Sequence, residues 1–159
     1  MEKTPEDPPS LAEWAGGGGA IARLFARFYE RVGEDAVLAQ VFAAMDPHHA
    51  EHVAHFVTEV LGGPKQYSQG GGSHAGMIAR HLGRHLSHDQ RRRWMALLVD
   101  TADELGLAED PEFRASLTGY LEWGSRLAVM NSQPGVPPPD ADMSMPAWTW
   151  SSPGGPYQS

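Results

Sequence analysis

Apolar residues recur at intervals of three and four through most of this chain, and nowhere do they alternate one by one with polar residues as half-buried strands require. The clearest run covers 20–32. There Ile21, Leu24, Phe25, Phe28 and Val32 form one stripe, with Arg23, Arg27, Glu30 and Arg31 on the other side, which predicts an amphipathic helix. Tyr29, four residues after Phe25, borders the stripe, so its ring faces inward while its hydroxyl needs a partner. Before this helix, 11–14 reads as a short helical turn, and glycines 16–19 permit a sharp change of direction. Val37, Leu38 and Val41 predict a second short helix over 34–42. Asp46-Pro47 is a start signal for the next helix, which covers 48–61 and turns His49, Val53, Phe56 and Val60 inward and His48, His52 and His55 to solvent. Gly62-Gly63-Pro64 stops it, and 65–73 reads as a flexible loop.

The stretch 74–86, HAGMIARHLGRHL, puts a histidine where such a helix should carry hydrocarbon. Met77, Ile78, His81, Leu82 and His85 share one face, with His81 in the middle of the stripe. An imidazole aimed into an apolar interior costs roughly 1 to 3 kcal/mol unless something bonds to it. It therefore needs either a hydrogen-bond partner or a metal, and this stretch alone fits both.

Ser87 and Gln90 form a capping box for a helix that runs to about Leu105, with Trp94, Leu97, Leu98, Thr101, Ala102 and Leu105 inward and Gly106 as its end. Asp110-Pro111 opens a last long helix, with Phe113, Leu117, Tyr120, Leu121, Gly124, Leu127 and Ala128 inward, ending near Asn131. The fold class is all-α. Residues 1–10 read as a flexible N-terminal tail, 11–132 as one helical domain and 133–159 as a Pro-rich extension. Within that extension PAWTW carries two tryptophans that are costly to leave in water, so it should dock on the domain or on a partner.

Composition narrows the chemistry. With 159 residues one domain can bury roughly two-thirds of its surface on folding. The absence of cysteine excludes disulfides, iron-sulfur clusters, thiolate zinc sites and a thiol nucleophile, so any metal is held by nitrogen or oxygen. Twenty acidic against twelve basic residues give a formal charge of −8, which disfavours nucleic acid and anionic lipid as partners. No secretion signal or membrane-length apolar run is apparent, and a cytoplasmic location is expected. All eight histidines fall between His48 and His88.

Two inward histidines, His49 and His81, together with an inward Tyr and Trp among Phe, Met, Leu and Val, describe an apolar slot with few polar tips. That is the chemistry of a haem pocket. A di-iron bundle competes, because His55 with Glu59 and His81 with His85 match spacings on the middle helices of hemerythrins. It fails for want of any histidine after His88, and the E-x-x-H of ferritin-like sites is missing. A haem-free interaction module using PAWTW would leave the inward His, Tyr and Trp unexplained.

The ordered set FYERV, VF, GGPKQY, ARHLGRHL, RRRWMALL, DPEFRASLTGYLEWGSRLAV and NSQP closely resembles the group II truncated haemoglobins, particularly the actinobacterial type, over about 11–134. The resemblance implies a truncated two-over-two globin fold around haem b. It assigns His81 to the iron and Tyr29 and Trp94 to the distal pocket. Phe42 falls at an aromatic corner position where some members carry tyrosine. His49 falls at the distal gate, Val53 beside the ligand, Phe56 on the pocket wall and Met77 on the proximal haem face. Arg80 is a candidate for a haem propionate, as are His52 and Tyr67. The resemblance further implies high-affinity binding of oxygen, with nitric oxide, carbon monoxide or peroxide as other ligands. Slow release disfavours simple oxygen delivery and points to nitric oxide dioxygenation or peroxidase-like chemistry. Electrons would come from a separate reductase, and a homodimer is compatible with the resemblance.

Overall fold

The computed structural model describes residues 7–151 and 154–156, and seven helices hold them together: α1 Leu11–Trp14, α2 Gly18–Glu34, α3 His49–Val60, α4 Gln66–Gln69, α5 His74–Ala79, α6 His88–Glu104 and α7 Pro111–Asn131. There is no strand among the described residues. Helix α2 packs on α3, α6 packs on α7, and α2 meets α6, so two helix pairs face one another around one core. The stripe read from the sequence of α2 is its buried face: Ile21, Leu24, Phe25, Phe28 and Val32 are almost wholly covered, and Tyr29 lies beside them.

Local chemistry explains the helix starts and ends. Ser10 caps α1 by accepting from the Glu13 backbone N–H. The predicted loose N-terminus otherwise falls on 1–6, outside the described residues. Gly17, at φ 88°, lets α2 begin at Gly18, inside the glycine run rather than after it. The capping box of Ser87 and Gln90 and the Asp110 cap with Pro111 both form as expected. Trp14 ties α1 to the start of α7, its indole N–H donating to Asp110 Oδ1 at 2.8 Å.

Six expectations need correction. No helix forms over 34–42. Asp35 leaves the helical conformation (φ −86°, ψ 127°), and its carboxylate accepts from the backbone N–H groups of Val37 and Leu38 while pairing with Arg93. The side chain thus takes donors that a helix would use, and a chain of turns brings Leu38 into the core instead. Asp46 likewise spends its carboxylate on the His48 N–H at 2.7 Å, so α3 starts later, at His49, with no side-chain cap of its own. The loop 65–73 contains α4. The helix expected over 74–86 stops at Ala79. From there i→i−3 bonds such as His81 N–H to Ile78 O tighten the chain, and Gly83 (φ 74°) and His85 (φ 53°) turn it left-handed. His85 is therefore exposed rather than inward, as is Leu105, 44% exposed at the end of α6.

The C-terminal segment returns to the domain. The Trp148 backbone N–H donates to Val60 O at 2.8 Å, the Trp150 indole donates to Pro9 O at 2.9 Å, and the Ser151 N–H donates to Ser116 Oγ at 2.9 Å. No described helix is long and apolar enough to cross a membrane.

Phe28 is fully enclosed between Phe25, Tyr29 and Trp94. Phe28→Ala should cost about 3 to 5 kcal/mol in urea unfolding, because the surrounding rings are fixed and the void cannot collapse. An unchanged m-value would confirm that the loss lies in the folded state.

Candidate haem pocket

The helix pairs leave a cavity of about 450 Å³ between them. Its walls are mainly apolar, with Phe25, Phe42, Val53, Phe56, Met77 and Ile78 among them. The polar groups that reach it include Tyr29, His49, His81, Trp94, Arg80 and Arg84.

His81 sits in the turn just past α5, half-buried on the cavity wall. Burial pushes its pKa down, opposed by a hydrogen bond to the Met77 backbone carbonyl, with Arg84 and Arg80 adding to the lowering. The ring is therefore neutral near pH 7. One of its nitrogens then keeps a free lone pair.

Tyr29 comes from the edge of the α2 stripe. Its ring packs edge-on to Phe28 at 4.9 Å, Phe42 at 5.5 Å and His49 at 4.9 Å between centroids. Burial raises its pKa, against a lowering by the neighbouring Trp94 indole, so the phenol stays protonated. Its hydroxyl lies 3.1 Å from His49 Nε2, joining the first turn of α3 to α2. His49 is pushed down to about 4 by burial first, then by the charges of Arg80, His81, His52 and Arg84. Trp94 enters from α6, its ring edge-on to Phe28 at 5.6 Å.

The cavity thus gathers Tyr29, Phe42, His49, Val53, Phe56, Met77, Arg80, His81 and Trp94, nine of the eleven residues expected at a site. His52 is one exception and Tyr67 the other. It stands behind Phe56, with ring centroids 5.1 Å apart, and its hydroxyl donates to Ser73 O at 3.3 Å. His48 is exposed as expected, but His52 and His55 are half-buried, and His52 Nδ1 is buried without a hydrogen-bond partner.

Sequence reasoning missed Arg84, His74 and Trp123 on the wall. His74 lies between Phe56 and Trp123, with centroids 6.2 and 6.3 Å away. Its pKa is lowered by burial and partly restored by a hydrogen bond to the Ser144 backbone carbonyl. Arg84 could have been found from its position three residues after His81; nothing in the pattern marked Trp123, which is 38% exposed.

Among the described residues no three His, Asp or Glu side chains converge on a metal. The donor set fits an iron porphyrin instead: one neutral imidazole with a free nitrogen, apolar walls for a flat ring, and guanidinium groups for carboxylates.

An all-helical shell around one apolar cavity, with a single imidazole so prepared and a few hydrogen-bonding tips, defines a truncated globin of the two-over-two type. Residues 10–121 match the bacterial-like globin family, and the chain belongs to it. It is 31% identical over 113 residues to the group 2 truncated hemoglobin YjbI of Bacillus subtilis, a stretch covering 71% of this chain and 83% of that relative. Among solved structures it resembles the group II truncated hemoglobin of Bacillus anthracis, with a TM-score of 0.70, 25% identity and coverage of 78% of this chain and 93% of that one. It also resembles the truncated oxygen-avid haemoglobin of Bacillus subtilis, with a TM-score of 0.67, 30% identity and coverage of 76% and 99%. Globins of this family carry haem b and bind ligands through it.

The depressed histidines set a pH response. His49 has a folded pKa near 4 against an ordinary value of 6.5, so between those limits the unfolded chain binds more protons. His81 and His74 shift the same way. Stability of the haem-free protein should be full above about pH 6.5 and fall as pH drops towards about 4, which thermal melts across that range would measure.

Proposed function

We propose that this chain is a high-affinity haem protein for oxygen and related small ligands, supporting nitric oxide dioxygenation or peroxidase-like chemistry. The observation that carries the reading is one apolar cavity that brings His81 together with the Tyr29, His49 and Trp94 tips. The description of a Bacillus subtilis relative as oxygen-avid supports the same direction.

In this reading His81 holds the haem through its free ring nitrogen, and Phe42, Val53, Phe56 and Met77 grip the porphyrin by contact. Arg80 faces a propionate. Haem held there would supply an iron able to bind a diatomic gas or peroxide. The Trp94 N–H and the Tyr29 O–H would donate to negative charge on such a ligand. The apolar walls exclude water and so strengthen both bonds. His49, tied to the Tyr29 hydroxyl, acts as the gate: it must release that hydroxyl for the tyrosine to turn fully to a ligand. A separate reductase returns electrons between turnovers.

An absorption spectrum of the purified protein, oxidised, reduced and with carbon monoxide, tests the reading. A Soret band that moves with each state is expected, and its absence would remove the haem assignment. In His81→Ala the axial bond should be lost and haem held weakly or not at all. Trp94→Phe and Tyr29→Phe should each speed oxygen dissociation by about tenfold to a hundredfold in stopped-flow, since one donor to partial charge is worth on the order of 1 to 3 kcal/mol. An unchanged rate in both would count against the high-affinity mechanism.

A further inference from the structure

The C-terminal segment packs against the back of the cavity wall. Phe56, His74 and Trp123 each line the cavity, and their rings follow one another at centroid distances of 6.2 and 6.3 Å with interplanar angles of 37° and 34°. Trp148 continues this row, 5.7 Å from Trp123 at 38°, and lies 5.7 Å from Tyr120. It is not itself on the cavity wall.

Backbone bonds fix the segment to three wall-bearing helices. Trp148 N–H satisfies Val60 O, one of the carbonyls that the end of α3 leaves without an intrahelical donor. The Ser144 carbonyl accepts from the His74 ring at the start of α5, and Ser151 bonds to Ser116 on α7. Trp150, only two residues further on, serves another purpose. Its ring meets Trp14 at 5.7 Å and Phe113 at 6.4 Å, and neither of those lines the cavity.

We propose that Trp148 is a positioning residue for the cofactor: by closing the row of Phe56, His74 and Trp123 from outside, it holds that wall in place and sets how long haem stays bound. The proposal rests on the haem reading of the cavity. Without the Trp148 indole, Trp123 has open space behind it and solvent on its exposed edge. The wall then moves outward, and haem leaves through it. Trp150 anchors the same segment without touching the wall, so it contributes stability and not retention.

The test uses the full-length haem-loaded protein and follows haem transfer to excess apomyoglobin by absorbance. Release from Trp148→Ala should be about threefold to tenfold faster than from wild type, matching the loss of one aromatic contact, that with Trp123 on the wall. Trp148→Phe, which keeps a ring in the row, should restore most of the difference. Trp150→Ala should lower the melting temperature while releasing haem at the wild-type rate. Equal release from wild type and a haem-loaded Trp148→Ala would overturn this proposal alone, as would an equal acceleration by Trp150→Ala. A wild-type protein that takes up no haem would overturn both this proposal and the reading beneath it.

Discussion

An imidazole withdrawn from water stays neutral, and a neutral imidazole with one nitrogen already committed has a lone pair to give. Much of this molecule depends on that condition at His81. The apolar walls lower its proton affinity, against the pull of the Met77 carbonyl one turn back. The break in the chain after Ala79 places the ring on the wall rather than on the straight face of a longer helix. An uninterrupted helix through Leu86 would have carried His85 inward as well and put a second imidazole near the same wall.

The rest of the pocket answers a related demand. Tyr29, Trp94 and His49 each bring one polar group into a hydrocarbon surrounding, where an unsatisfied group is costly. They meet that cost partly through one another: the Tyr29 hydroxyl lies within bonding distance of His49 and beside Trp94. Three helices thereby share one polar cluster. The ring packing of Phe28 on both Tyr29 and Trp94 makes the core and the site continuous.

The fold was legible wherever period and caps agreed. The α2 stripe, the capping box of α6 and the Asp110-Pro111 start of α7 are all local signals, and all formed. Failures came where a side chain competed with the backbone, as at Asp35 and Asp46, since an apolar count does not weigh that competition. In 74–86 the apolar period outweighed Gly83, although a glycine after a histidine-bearing turn is itself a stop signal. The site was legible through residues that broke the apolar rule at inward positions, among them His49 and His81. Trp123 obeyed no such rule. It reaches the cavity only because α5 and the C-terminal segment lie on either side of it, a fact of tertiary structure that no spacing encodes.

The start of α3 carries a last consequence. No side chain caps this helix, because Asp46 has spent its carboxylate one residue too early, and His49 is the first residue of the first turn. Helix ends without such restraint fray at low cost. The Tyr29 hydroxyl, 3.1 Å from His49 Nε2, is then the side-chain restraint on that turn, so a cavity group and a helix end hold one another in place.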